Sequence, residues 1–158
     1  GDGRLETIYP SYDGRMHAFW LDKDERLNWP YSIYRASEGF IRFASEPAVV
    51  DLENDGFAEV IFASWTQKGS RRWGKLHILN WAGAPIHEID LPAPKSSSIT
   101  WNGGLAAPTI ANVDADADLE VVLMTSASGV VVYDLPGTAN ARILWGTGRG
   151  GFTRQAYR

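Results

Sequence analysis

The sequence predicts an all-β protein made of β-propeller blades, about three four-stranded repeats that form part of a larger propeller or assembly. Short apolar runs of about 4 to 8 residues, rich in Val, Ile, Phe and Tyr, are bounded by Gly, Asp, Asn and Pro, a pattern typical of strands and turns. Windows with helical periodicity are interrupted by Pro or Gly. Similar segments recur about every 50 to 60 residues, which is the size of a propeller blade.

The clearest repeat joins segments that lie 61 residues apart. Residues 45–51 (SEPAVVD) resemble residues 106–112 (AAPTIAN), because in both a proline is followed by an apolar pair and a short polar side chain. At the same offset, residues 55–62 (DGFAEVIF) fall on residues 116–123 (DADLEVVL). Both matches therefore occur at the same offset, as an internal repeat requires.

The N-terminus carries a third, incomplete copy of this pattern. Asp2, Gly3 and Glu6 repeat its acidic and glycine positions, with Glu6 lying 53 residues before Glu59. In the second half of each copy a glycine is expected to open a new strand; these glycines are Gly14, Gly74 and Gly129. We divide the chain into units 1–40, 41–100 and 101–150, followed by a tail or linker at 151–158. Residues 146–158 are expected to give a closing strand before that tail.

Composition excludes several classes of protein. With 44% apolar residues and a net charge of −4, the 158-residue chain is suited to a packed globular core. No apolar run reaches the roughly 18 to 20 residues of a membrane helix, so no membrane insertion is expected. Apart from Arg149, Arg154 and Arg158 near the end, the basic residues show no stripe comparable to the acidic windows, which argues against a nucleic-acid partner. The chain has no cysteine and hence no thiolate metal site.

Eight of the nineteen acidic residues lie in two nine-residue windows, 51–59 and 112–120. In each window residues with side-chain oxygens occupy positions 1, 3, 5 and 9, and the backbone carbonyl of position 7 offers a fifth ligand. Alternate positions in a tight loop direct their oxygens inward, which suits a cation with 6 to 8 oxygen ligands at about 2.3–2.6 Å. The predicted ligands are Asp51, Glu53, Asp55, Phe57 and Glu59 in the first window, and Asn112, Asp114, Asp116, Asp118 and Glu120 in the second.

Calcium is the cation that these loops favour. Carboxylates within a few Å of one another repel by about 1 kcal/mol per pair even at the dielectric constant of water, and a cation removes this cost. Magnesium demands a stricter octahedron, and zinc prefers His or Cys ligands. The alternative interpretation is an acidic turn whose Asp and Asn side chains only cap the backbone. An EF-hand is excluded, because Phe62 and Leu123 occupy position 12.

The loops and their spacing resemble the FG-GAP (VCBS-type, integrin-α-like) family, whose blades carry a D-x-[DN]-x-D-G-x-x-[DE] loop. Residues 51–59 match with Glu53 at position 3, and residues 112–120 match with Asn112 at position 1 and Ala117 in place of glycine. The resemblance covers nearly the whole chain and implies a calcium-binding β-propeller. Because the family usually has seven blades, it also implies that the chain joins other protein subunits or the remainder of a larger chain.

These observations predict a calcium-binding scaffold for adhesion or protein assembly, located outside the cell, in the periplasm or at the cell surface, and not an enzyme. Structural roles are favoured for His17 and His77, which occupy equivalent strand positions, where the third unit has Val132. The seven tryptophans are expected to pack between blades, with glycan binding as the alternative. A carbohydrate-binding or catalytic propeller, lyase-like or quinone-dependent, is the second hypothesis, although no catalytic set is evident in the sequence.

Overall fold

The computed structural model describes residues 5–21, 28–34, 42–66 and 71–153. Throughout these ranges the chain is all-β, as the sequence predicts, and none of them contains a helix long and apolar enough to span a membrane. The strands are β1 (Glu6–Ser11), β2 (Arg15–Trp20), β3 (Tyr31–Ser32), β4 (Arg42–Ala44), β5 (Ala48–Asp51), β6 (Glu59–Thr66), β7 (Lys75–Leu79), β8 (Pro85–Asp90), β9 (Thr109–Ala111), β10 (Leu119–Thr125), β11 (Gly129–Leu135) and β12 (Arg142–Trp145).

The strands form three antiparallel sheets, and none of them is closed. Sheet 1 has the order β1-β2-β3, sheet 2 the order β12-β5-β6-β7-β8, and sheet 3 the order β11-β10-β9; β4 also pairs with β6. The expected strands after Gly14, Gly74 and Gly129 are present as β2, β7 and β11. Asp2 and Gly3, as well as Arg154 and Arg158, lie outside the described residues.

The end of the third unit differs from the expectation of four strands in each repeat. The strand β12 pairs with β5 of sheet 2 and not with β11 of its own unit. The last described strand ends at Trp145, and residues 146–153 contain no strand; the rest of the expected closing segment, residues 154–158, lies outside the described residues. Residues 146–150 form a turn, in which the Gly146 N–H donates to the Gly150 carbonyl at 3.0 Å. Gly150 has a φ of 86°, which favours a turn over an extended strand.

Sheet 2 lies between the other two sheets, and its central strands β6 and β7 are covered on both faces. Its central strand β6 has the sequence EVIFASWT, in which every residue except Trp65 is buried. Val60 and Phe62 belong to a core shared with sheet 1, whereas Ile61 and Ala63 belong to a core shared with sheet 3. A strand covered on both faces carries a continuous apolar run instead of a strict alternation.

The hairpins of the three sheets have matching registers. Tyr9 lies opposite His17, and Phe62 lies opposite His77. In sheet 3 the corresponding residue Leu123 lies opposite Val131. Gly129 is the first paired residue of β11, whereas Gly74 precedes the first residue of β7. The register therefore places Val131, and not the expected Val132, at the position that corresponds to His77.

The connection between sheets 2 and 3 is fixed by Asn102, which is fully buried. Its Nδ2 donates to the Pro92 carbonyl and to Ser128 Oγ, each at 2.7 Å, and its Oδ1 accepts the Ala127 N–H at 3.0 Å. The next residue, Gly103, lies so close to β6 that an added Cβ would be 2.6 Å from the Trp65 Cα atom. This segment is therefore a packed part of the structure and not a loose linker.

Candidate metal centre

Each acidic window forms the connection between two adjacent antiparallel strands. Residues 51–59 join β5 to β6, and residues 112–120 join β9 to β10. Val50 pairs with Glu59, and Ala111 pairs with Glu120, at the same offset of 61 that relates the sequences. The last acidic residue of each loop therefore occupies the same register position in its hairpin.

The two glutamates make the same hydrogen bond across their loops. Glu59 Oε2 accepts the Leu52 N–H at 3.0 Å, and Glu120 Oε2 accepts the Val113 N–H at 2.6 Å. Both glutamates are buried, with exposed fractions of 4% and 1%. One oxygen of each carboxylate thus closes the loop on itself.

The aspartates at position 5 also share a contact. Asp55 Oδ1 accepts the Phe57 N–H at 2.8 Å, and Asp116 Oδ1 accepts the Asp118 N–H at 2.9 Å. This is the side-chain-to-backbone bond of an Asx turn. The Asp118 side chain turns away to accept the Gly137 N–H at 2.9 Å, so any contribution of Asp118 at position 7 falls to its backbone carbonyl.

The 112–120 loop brings three carboxylates together. Ligand oxygens of Asp114, Asp116 and Glu120 all lie within 4.8 Å of one another. Asp114 Oδ1 accepts the Asp116 backbone N–H at 3.0 Å, which fixes the Asp114 side chain against the loop backbone. Glu120 Oε1 is buried and has no hydrogen-bond partner. A buried carboxylate oxygen without a donor is costly, and a bound cation would satisfy it.

The 51–59 loop is arranged differently at its first position. Asp51 Oδ1 and Oδ2 accept the N–H groups of Asp55 and Gly56 at 2.9 and 3.0 Å. The Arg142 guanidinium of β12 lies 3.4 Å from Asp51 Oδ2. Although the whole loop lies in the described ranges, no three of its acidic side chains converge as those of the 112–120 loop do. The loop thus neutralises Asp51 with protein groups.

At the first position of the 112–120 loop, the side chain donates a hydrogen bond, whereas Asp51 accepts hydrogen bonds. Asn112 donates its Nδ2 hydrogen to the Asp116 carbonyl at 2.5 Å. It therefore supports the loop backbone from within. The sequence shows the substitution of Asn for Asp but not this reversal of the hydrogen bond.

Burial and neighbouring charge act together on Glu59. The pKa of Glu59 is raised to about 7, first by burial of its carboxyl group and then by the nearby carboxylates of Glu53 and Asp55. The hydrogen bond from the Leu52 N–H opposes these two effects. Glu53, the predicted ligand at position 3, thus lies close enough to Glu59 to repel its charge.

A buried polar network that the sequence analysis did not identify crosses sheet 2. Ser64 Oγ lies 3.0 Å from His77 Nε2, and His77 Nδ1 lies 3.5 Å from Glu88 and 3.2 Å from the Tyr31 hydroxyl. The order Ser–His–carboxylate is that of a hydrolase triad. However, Ser64 and His77 are fully buried, and Ser64 Oγ already accepts the Lys75 N–H at 2.9 Å. The network therefore joins sheets 1 and 2, with its serine and imidazole in the core.

Comparisons of the chain with protein-family models, with curated proteins and with solved structures found no match.

Proposed function

We propose that this chain is a calcium-binding structural module that serves as a scaffold for adhesion or for assembly with other protein subunits or the remainder of a larger chain. The observation that carries the proposal is the unpartnered, buried Glu120 Oε1 beside Asp114 and Asp116. A cation at this point satisfies the orphaned oxygen and neutralises the repulsion of three carboxylates.

Calcium fits this group better than the other common cations. All the side-chain ligands are oxygens, and a flexible loop can supply the 6 to 8 ligands that calcium takes, with carbonyls and waters completing the shell. Zinc would need nitrogen or sulfur ligands, and magnesium would need a stricter octahedron. Calcium bound to the folded state alone would stabilise the module by about 2.7 kcal/mol at a concentration of 100 times its Kd.

The proposal includes a propeller-like arrangement of the sheets. Support comes from the hairpin registers and loop hydrogen bonds that coincide at the offset of the sequence repeat, and from the stacking of three sheets in chain order. The proposed location is outside the cell, in the periplasm or at the cell surface. Weak calcium sites, with Kd on the order of 0.1 to 1 mM, fill only where calcium is abundant.

Calorimetric titration with calcium tests this function. We expect binding by the unaltered chain, loss of the 112–120 site in Glu120→Gln, and retention of it in Asp118→Asn. The last variant is the matched control, because it removes the same charge from the same loop but lies outside the converging triad. Equal binding by Glu120→Gln and the unaltered chain, or no binding by either, would contradict the proposal.

A carbohydrate-binding or catalytic propeller is the second candidate, and the surroundings of Trp145 favour it. Trp145 is 40% exposed and lines a cavity of about 710 Å³ together with Tyr9, Glu46 and Arg149. The backbone of Gly150 covers one face of the indole, since a Cβ there would lie 2.9 Å from the ring. A fixed aromatic ring beside charged side chains is a surface on which a sugar ring can stack.

A glycan array separates the two candidates. The carbohydrate-binding function predicts selective retention of one glycan class and its loss in Trp145→Ala, with calcium binding at the 112–120 loop unchanged. The scaffold function alone predicts no retention above background for either protein.

A further inference from the structure

The three sheets stack in one direction. In each hairpin, alternate residues of the two strands point to opposite faces of the sheet. One face of sheet 1, with Met16 and Ala18, packs on Val60, Phe62 and Leu79 of sheet 2. We call the face of a sheet that corresponds to the Met16 and Ala18 face of sheet 1 its leading face. The opposite face, which in sheet 2 carries Val60, Phe62 and Leu79, is called the trailing face.

The second interface repeats the first at corresponding positions. Ile61, Ala63 and Leu76 form the leading face of sheet 2 and share a core with Val121 and Leu123, which lie on the trailing face of sheet 3. The register identifies these faces, because Ala63 pairs with Leu76 as Pro10 pairs with Met16 in sheet 1. The contact is thus heterologous in both cases, a leading face on the next trailing face.

This order leaves one face of each kind without a partner sheet in the described part of the chain. The leading face of sheet 3 presents the cross-strand pairs Val122–Val132 and Met124–Val130. Met124, Val130 and Val132 are 61%, 59% and 50% exposed, an unusual concentration of exposed apolar side chains on one face.

The trailing face of sheet 1 is the matching surface at the other end. It carries the stacked rings of Tyr9, His17 and Phe19, with 5.4 Å between the ring centroids of Tyr9 and His17 and an interplanar angle of 13°. The same cross-strand pair in sheet 2, Phe62 and His77, is stacked at 4.8 Å and 12°. There it is completely buried under sheet 1.

We propose that the trailing face of sheet 1 in one copy of this chain docks on the leading face of sheet 3 in a second copy. The stacked pair Tyr9–His17 then takes the place that Phe62–His77 takes inside the chain, on an aliphatic surface made by Val122, Met124, Val130 and Val132. The association continues the internal stacking and buries the aliphatic side chains of one copy under the stacked rings of the other. It specifies which surface serves the proposed scaffold, and it does not require metal at the 112–120 loop.

Two variants test the docking, each with one altered face. Met124→Lys places a charge on the leading face of sheet 3, and Tyr9→Lys places one on the trailing face of sheet 1. Sedimentation equilibrium of the unaltered chain should show a mass that rises above that of one chain between about 1 and 200 μM, a range suited to a weak interface. Each variant alone should remain a monomer.

The mixture of the two variants gives the decisive result. Met124→Lys retains its trailing face and Tyr9→Lys retains its leading face, so the mixture should form a 1:1 dimer and nothing larger. Ile86→Lys, which alters an exposed apolar residue of β8 outside both faces, should associate as the unaltered chain does. Circular dichroism melts of all the variants show that each one is folded.

Other outcomes overturn the proposal. A chain that stays monomeric throughout the range has no such interface. If Tyr9→Lys dimerises alone, the contact joins two leading faces and is not head to tail. If the mixture stays monomeric, the head-to-tail contact does not form. Because the experiment is run both in calcium and in a chelator, its failure is separate from a failure of calcium binding at the 112–120 loop.

Discussion

The two acidic loops have similar sequences but balance their negative charge in different ways. In the 51–59 loop the Asp51 carboxylate accepts two backbone N–H groups and faces Arg142. In the 112–120 loop, Asn112 is itself a hydrogen-bond donor, and the Glu120 carboxylate keeps one unpartnered oxygen. Loops with the same spacing of acidic residues therefore arrange their carboxylates differently. The spacing alone does not specify which carboxylates converge.

The largest expected effect concerns the pH dependence of the 51–59 loop. Glu59 has a folded-state pKa of about 7, above its ordinary value of 4.5, so the folded state holds this proton more tightly than the unfolded chain does. The stability linked to this proton is fully present below about pH 4.5 and is lost as the pH rises through about 7. We expect the free energy of unfolding in a chelator to fall by about 1 to 3 kcal/mol over this window.

Urea unfolding at several pH values measures this decrease. Glu59→Gln should flatten the profile, because the amide does not titrate and still accepts the Leu52 N–H through its oxygen. Asp118→Asn in the other loop is the control and should keep the slope. A slope that persists unchanged in Glu59→Gln would assign the pH dependence to another group.

A smaller effect is expected from the backbone of the two loops. Gly56 has a φ of 91° and Asn54 a φ of 55°, whereas in the fully described 112–120 loop no residue has a positive φ. Nothing lies within 4 Å of a Cβ added to Gly56, so the cost of Gly56→Ala comes from its backbone conformation alone. We expect Gly56→Ala to lower the free energy of unfolding by about 1 to 2 kcal/mol.

Ala117→Gly is the matched control for this comparison. Because position 117 does not need a positive φ, glycine brings no relief of strain there and costs only backbone entropy, about 0.5 to 1 kcal/mol. Thermal melts of both variants in a chelator measure the difference. A stabilising effect of Ala117→Gly would show that the second loop is strained by the absence of its glycine.

The smallest effect is expected at Arg142. Its side chain is 59% exposed, so its ion pair with Asp51 is screened, and Arg142→Gln should cost less than about 1 kcal/mol in a chelator. Under the proposed function, the same change would also remove a positive charge that competes with calcium for Asp51. In an Asp116→Asn background, where the 112–120 site is disabled, calorimetry should therefore show tighter calcium binding to the 51–59 loop. Unchanged binding would mean that Arg142 does not control this loop.

Local features of the fold could be predicted from the sequence. The strands after Gly14, Gly74 and Gly129 were expected, because a glycine followed by alternating or continuous apolar residues is a local signal. The position of both acidic loops between paired strands follows from the same signal. These elements depend on neighbours in the sequence, which a single chain displays directly.

Long-range pairing could not be predicted in the same way. The strand β12 contacts β5, which lies about 90 residues earlier, and no local pattern specifies this partner. The network of Ser64, His77 and Glu88 depends on the registers of three strands, which the sequence does not display. The convergence of Asp114, Asp116 and Glu120 depends on side-chain directions that the sequence does not display. Each of these features is a property of tertiary contacts.

The buried Asn102 has a consequence for any array that this chain builds. Its three hydrogen bonds and the close approach of Gly103 to β6 tie the segment between sheets 2 and 3 to the β10–β11 turn on one side and to β6 on the other. If copies join head to tail as proposed above, such a rigid link makes the rotation from one copy to the next the same at every step. A constant rotation gives constant curvature, which produces a closed ring when the steps add up to a full circle and a helical filament when they do not.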